Sequence, residues 1–342
     1  MFDPNKISTL SKYISDSKKI LLICHMNPDG DAIGSMIAMY RYLKSKGKEV
    51  AMISPNYLQE FLKWMDSSDS INVYIKNYRK GGKLVSEADL IVMLDFNHIS
   101  RLGEMERLTI GSKAKKVVID HHFDPGSFSD LLISDPNRCA TAELVYDIIK
   151  ELEGCPFDDP VFRESIYVGI MTDTGCLEYG SYNGHTLRIV GDLLDAGVDK
   201  ERVRLNVYNN FSADRMRLMG FALNERMVVL DQYDTAYIYL SNADLERFNH
   251  VKGDTEGFVN LPLAIKNIRM SVLFIEKKDL IKLSFRSKGD YPVNEFASKY
   301  FGGGGHKNAS GGEYKGSMED AIKEFLEKLA YDNPCVEKQE KA

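Results

Sequence analysis

No stretch of this 342-residue sequence is apolar for long enough to suggest a membrane span. A span needs about 20 consecutive apolar residues. No basic patch followed by an apolar core opens the chain, so no secretory leader is visible either. The expected location is the cytoplasm, with no membrane partner. Cysteine is scarce: Cys24, Cys139, Cys155, Cys176 and Cys335 make an odd count without a C-x-x-C pair. That excludes a disulfide framework and fits reduced thiols. Cys24 adjoins His25 but closes an apolar run, so it reads as a small buried hydrophobe rather than a nucleophile. Positive charge is not in excess: 44 basic against 50 acidic residues give a net charge of −6. Coating long nucleic acid needs a basic surface, so that class is excluded, while a short phosphorylated ligand in a local basic pocket is not. There is no internal repeat, and the glycine run at 302–305 is the only low-complexity tract.

What is present is a set of acidic and histidine-bearing segments, each closing a short apolar run. His25-Met26-Asn27-Pro28-Asp29-Gly30-Asp31 follows LLIC, Asp95 follows LIVML, Asp120-His121-His122 follows VVI, and Thr172-Asp173-Thr174-Gly175 follows VGIM. Such runs suit buried strands or a buried helix end. Runs at 20–24, 50–53, 90–94 and 117–119 read as strands. Ile33, Met36, Ile37, Tyr40 and Leu43 give one face of a helix between the first two, which Gly47 ends. The alternation predicts an α/β fold with a parallel sheet, whose ligands bind beyond the carboxyl ends of the strands. Residues 140–210 read as mostly helical, and 212–229 as a further helix. After Asp231, strand-like runs at 235–240, 270–276 and 280–286 alternate with helices at 256–266, 292–300 and 317–330. The expected organisation is a catalytic, metal-binding domain over 1–210, a linker helix over 211–230, and a smaller mixed-sheet α/β domain over 231–332. The chain after about Asp332 reads as a polar tail.

Carboxylates and imidazoles gathered at strand ends suit hard or borderline divalent cations. In His25-x3-Asp29-x-Asp31 a loop turning into a helix lets the two carboxylates diverge, so each can serve a different ion. Asp95 can bridge both, and His121 with Asp173 can complete the second ligand set. Two cations about 3.5–4 Å apart clamp the attacking and leaving oxygens of a phosphoester. Asp31 or Asp95 alone reads better as a cap or turn residue, and His121 alone as a satisfied polar residue; the set carries the metal reading. In the C-terminal part, Arg286 offers a bidentate donor, and the glycine run reads as an anion-binding nest or as a plain hairpin.

Asp120-His121-His122 resembles the signature of the DHH phosphoesterase superfamily. His25-x3-Asp29-Gly30-Asp31-Ala32-x-Gly34-Ser35 resembles its first motif, Asp95 with Arg101 the second, and Thr172-Asp173-Thr174-Gly175 the fourth. Phe285-Arg286-Ser287 and Gly302–Gly305 with His306 resemble the DHH-associated domain found in oligoribonucleases. The resemblance implies one cation on His25, Asp29 and Asp95, and a second on Asp31, His121, Asp173 and the same Asp95. It implies that His122 and Arg101 contact the scissile phosphate and that Asp120 orients a histidine. It implies Mn²⁺, with Mg²⁺ or Co²⁺ as substitutes. Arg286, Ser287, Gly303, Gly304, Gly305 and His306 would grip the nucleotide. The implied substrates are very short single-stranded RNA and 3′-phosphoadenosine 5′-phosphate. The alternatives are cyclic or linear dinucleotides and, from another class, a silent nucleotide sensor. A homodimer is left open. Asn137-Arg138-Cys139-Ala140 departs from the small hydroxyl residues frequent there.

Overall fold

The computed structural model describes residues 3–178 and 182–332; the expected polar tail lies outside them. The chain forms two compact units, Met1–Asn210 and Phe211–Ala342.

The first unit opens with helix α1 (Pro4–Asp16) and strand β1 (Lys19–Cys24), followed by α2 (Gly30–Ser45), β2 (Glu49–Ser54) and β3 (Ile71–Val73). Then come α3 (Tyr78–Glu87), β4 (Leu90–Leu94), α4 (Glu106–Ile110), β5 (Lys115–Asp120) and β6 (Leu131–Ser134). Four helices close the unit: α5 (Thr141–Glu153), α6 (Pro160–Asp173), α7 (Gly184–Asp195) and α8 (Lys200–Val207). The strands pair in the order β3-β2-β1-β4-β5-β6, all parallel. Side chains alternate between faces along a strand. Ile20, Leu22 and Cys24 therefore join the core under α1, α2 and α5–α8. Leu21 and Ile23 join the opposite core with Val85 and Met105. The expected strands form, and the sheet gains two more, β3 and β6: both are short, and both sit at its edges.

The strand order reverses direction between β1 and β4, which is where ligands bind in such sheets. The register fixes the level at which the chain leaves each strand. Cys24 pairs with Leu94 and Leu94 with Ile119, so His25, Asp95 and Asp120 leave the sheet side by side. Helices α2 and α6 approach closely at glycine. A Cβ on Gly34 would collide with the Ser165 carbonyl oxygen, and one on Gly169 would meet Asp31 Oδ1 at 2.9 Å. That approach brings Asp31 near the carboxyl end of α6, where Asp173 sits.

The second unit contains α9 (Ala213–Glu225), β7 (Met227–Leu230), β8 (Thr235–Leu240), α10 (Asn242–Arg247), β9 (Met270–Glu276) and β10 (Ile281–Ser287). It ends with α11 (Val293–Phe301), β11 (Gly304–His306), β12 (Ala309–Tyr314) and α12 (Met318–Asp332). Its sheet, ordered β11-β12-β10-β9-β8-β7, is mixed: β8 and β9 are parallel and the other pairs antiparallel. Phe296 and Phe325 pack with Phe274 and Phe285 on one face, and Leu218 and Ala222 of α9 pack with Ile238 and Leu273 on the other. The helix expected over 212–229 ends at Glu225, because the apolar run Met227–Leu230 pairs with β8 instead. Residues 258–264 form 3₁₀ turns rather than an α-helix. Pro262 lies inside them and cannot donate to a regular helix.

Gly34→Ala is expected to destabilise the first unit by about 1–3 kcal/mol through overpacking. Its thermal midpoint should fall; an unchanged midpoint would mean that the α2–α6 contact tolerates separation.

Candidate metal centre

β1 ends at Cys24, and His25 turns off the sheet with its side chain only 4% exposed. Its Nδ1 lies 2.9 Å from the Met26 carbonyl oxygen. A carbonyl only accepts, so Nδ1 carries a proton, and Nε2 is left to face the carboxylates. It faces Asp95 Oδ2 at 3.3 Å and Asp29 Oδ2 at 3.7 Å. Asp29 caps α2 by accepting from the Ala32 amide at 3.0 Å, while Asp31 lies one step inside the helix. The two carboxylates therefore diverge. Asp95 follows β4 in a left-handed conformation, φ 68°, and the loop after β1 carries Asn27 at φ 56°. Such conformations are uncommon outside glycine and gather at functional sites.

His121 repeats the arrangement of His25. Its Nδ1 donates to the Arg138 carbonyl at 3.1 Å, and Nε2 faces Asp173 at 3.5 Å, Asp95 at 3.7 Å and Asp31 at 3.9 Å. His122 is held differently: Nδ1 bonds Asp120 Oδ1 at 2.7 Å, with Asp95 at 3.8 Å. The ligand-capable atoms of His25, Asp29 and Asp95 lie within 4.8 Å of one another, as do those of Asp31, His121 and Asp173, and those of Asp95, His121 and His122.

The charges are poorly matched without a cation. Burial, aided by Asp95 and Asp173, pushes the Asp31 carboxyl well above its usual range. Burial also raises Asp173, to about 7. Burial alone would raise Asp95 too, but His25, His122 and His121 outweigh it and hold it low. Burial opposes protonation of His25, yet Asp29 and Asp95 lift it to about 10. For His122, burial is outweighed by Asp120 and Asp95, and its pKa rises despite the nearby positive charge of Arg101. His25 Nε2 is buried yet makes no hydrogen bond of good geometry among the described residues. Imidazole lone pairs aimed at buried carboxylates repel unless a proton or a metal ion lies between them. The donor set of carboxylate oxygens and imidazole nitrogens fits a divalent ion.

Thr141 was not singled out from the sequence, yet it joins the site at the start of α5. Its amide donates to Asp31 Oδ2 at 2.6 Å and the Ala142 amide to Asp31 Oδ1 at 2.8 Å. Thr141 Oγ1 donates to Asp95 Oδ1 at 2.9 Å. A helix start favours anions, and the only available signal was a Thr opening an apolar-faced helix. Cys24 is fully buried, and burial pushes its thiol up to about 12, in keeping with a small buried hydrophobe.

In the second unit, Arg286 lies on β10, and its Nη1 bonds the Phe285 carbonyl at 2.9 Å. Ser287 Oγ donates to the Tyr291 carbonyl at 2.6 Å and accepts from Asn308 at 2.8 Å. The glycine run forms a hairpin strand rather than an open nest: Gly304 pairs with Gly311 and Gly305 with Ser310. No side chain fits at Gly303, where a Cβ would strike the Gly311 carbonyl. His306 continues the same strand, and its side chain lies outside the described atoms.

Residues 19–170 match the DHH family, N-terminal domain, and residues 235–331 match the DHHA1 domain. The chain is 30% identical to the bifunctional oligoribonuclease and PAP phosphatase NrnA of Thermus thermophilus, over 90% of this chain and 88% of that one. It is 28% identical to the NrnA of Bacillus subtilis, over 96% of this chain and 98% of that one. Among solved structures, an exopolyphosphatase-related protein from Bacteroides fragilis superposes with a TM-score of 0.94 at 40% identity, covering 97% of both chains. RecJ of Thermus thermophilus, solved with Mn²⁺, shares the fold at a TM-score of 0.56 and 14% identity, over 97% of this chain and 55% of that one.

Mn²⁺ added to chelator-treated protein should raise the thermal midpoint of the first unit. Linkage gives about 2.7 kcal/mol at a hundredfold excess over Kd. Asp173→Asn should bind Mn²⁺ more weakly yet melt no lower than wild type in chelator, because one crowded carboxylate is gone. A metal-free Asp173→Asn protein that melts well below wild type would show that the protein alone satisfies these carboxylates.

Proposed function

The chain belongs to the DHH family, and from that premise we propose that it hydrolyses very short single-stranded RNA to mononucleotides and removes the 3′-phosphate of 3′-phosphoadenosine 5′-phosphate. The observation that carries the chemistry is the pair of donor sets, His25–Asp29–Asp95 and Asp31–His121–Asp173, with Asp95 Oδ1 3.7 Å from His121 Nε2. The substrate class is supported by relatives named oligoribonuclease and PAP phosphatase, which align along both units. As a member of this family the chain is a hydrolase.

In this reading His25, Asp29 and Asp95 hold one divalent cation, and Asp31, His121 and Asp173 hold the other beside the same Asp95. Mn²⁺ suits the mixed imidazole and carboxylate donors, with Mg²⁺ or Co²⁺ as substitutes. When bound, the cations supply positive charge against the phosphate oxygens and acidify the attacking water. The protein's own groups do the rest. His122, fixed through Nδ1 by Asp120, presents Nε2 as a donor to a phosphate oxygen. The bond to Asp120 favours the protonated ring that this role needs. Arg101 adds a fixed cation close enough to act on His122. Thr141 and the start of α5 keep Asp31 and Asp95 in place. In the second unit Arg286, Ser287, Gly303, Gly304, Gly305 and His306 form the nucleotide grip, with the Arg286 guanidinium donating hydrogen bonds to a phosphate. The acidic chain suits a short ligand rather than long nucleic acid. No helix among the described residues is long and apolar enough to cross a membrane.

A hydrolysis panel with Mn²⁺ tests this: a 5′-phosphorylated dinucleotide and pentanucleotide RNA, 3′-phosphoadenosine 5′-phosphate, cyclic di-AMP, pyrophosphate and polyphosphate. Fast turnover of short RNA and the bisphosphate is the expected result; preference for the cyclic dinucleotide or a polyphosphate would overturn it. Asp95→Ala should lower kcat by at least about 10²-fold, the scale of one lost electrostatic element. Arg286→Ala should raise KM for the dinucleotide and leave a small generic phosphodiester unaffected. Equal loss on both would remove Arg286 from the grip.

A further inference from the structure

Glu143, Asp147 and His185 bring ligand-capable atoms within 4.8 Å of one another and share no residue with the donor sets of the metal centre. A metal ion is not what joins them. Arg138 Nη1 already lies 2.8 Å from Glu143 Oε1 and 2.9 Å from Asp147 Oδ2, so a guanidinium supplies the positive charge. His185 Nε2 approaches the same Asp147 oxygen at 2.7 Å. Glu143 is completely buried, and its other oxygen accepts from the Cys139 amide at 3.1 Å and from Thr186 Oγ1 at 3.2 Å. Both ends of this carboxylate therefore grip the segment 138–139, one through its side chain and one through its backbone.

That segment is also what touches the metal centre. The Arg138 carbonyl fixes the ring of His121, and residues 141–142 hold Asp31 and Asp95. On the far side the network reaches α7. There the Asn183 side chain accepts from the His185 amide at 2.8 Å, and Thr186 completes the cap. We propose that the Arg138–Glu143–Asp147–His185 network is the positioning device for the metal centre, with Glu143 as its central positioning residue. It sets where His121 Nε2 and the Asp31 carboxylate stand, and so sets affinity for the divalent ion. This rests on the reading of the first unit as a metal centre. The physical basis is that partners behind the ligands fix ring orientation, and their loss typically weakens metal binding about 10–100-fold. A small side chain at 138 could not bridge Glu143 and Asp147 as Arg138 does.

The test is calorimetric titration of Mn²⁺ into the chelator-treated full chain, beside the metal-free thermal midpoint. Glu143→Ala should weaken Mn²⁺ binding by about tenfold or more, and Glu143→Gln by less, since it keeps an acceptor for the Cys139 amide. If Glu143→Ala fails to fold, Arg138→Lys and His185→Ala probe the same network from its outer members and should also weaken binding. Wild-type affinity in folded variants, even with a lowered midpoint, would reduce the network to a structural brace and overturn the proposal alone. Failure of the wild type to bind Mn²⁺ would overturn the metal reading and this proposal together.

Discussion

Like charges forced together, two of them out of contact with water, are the constraint on which the first unit is built. Asp31 and Asp95 have side chains 1% and 2% exposed, with Asp29 and Asp173 beside them. A buried carboxylate must be paired, hydrogen-bonded or protonated. Part of that need is met by the amides opening α5 and by Thr141. Part is met by His25, which is drawn toward its charged form. The remainder falls on Asp31 and Asp173, both pushed toward the neutral acid by burial. A pair of divalent ions would satisfy the whole set at once, since the ligand-capable atoms lie close together and each imidazole is already pinned through its other nitrogen.

The scaffold meets this constraint with ordinary means. A parallel sheet whose strand order reverses beside β1 delivers His25, Asp95 and Asp120 at one level. Side-chain-free positions on α2 and α6 let two helices close enough to bring Asp31 and Asp173 to the same imidazole. Residues 138–142 add the Arg138 carbonyl against His121 and the Thr141 and Ala142 amides against Asp31. The second unit has its own cores and carries its candidate binding residues on β10 and a glycine-rich hairpin.

Much of this was legible because the chemistry-bearing residues come directly after apolar runs that suit buried strands or a buried helix end. LLIC, LIVML and VVI marked three strand ends, and the order of motifs matched a known superfamily. What was not legible depends on long-range contact. Thr141 looks like any residue opening a helix, and only the fold places it against Asp31 and Asp95. Only the fold brings the ring of His185, on α7, to Asp147 on α5. The run Met227–Leu230 continues a helical pattern on paper and becomes an edge strand because β8 offers it a partner. Between nest and hairpin the glycine run left the choice open; pairing with Ser310 and Gly311 decides for the hairpin.

The measurement that bears most directly on this account is anomalous diffraction from crystals of the protein grown with Mn²⁺. Two peaks are predicted, one among His25, Asp29 and Asp95 and one among Asp31, His121 and Asp173, with Asp95 shared. A single peak, or density only at the surface, would contradict the two-cation centre on which the rest of the reading stands.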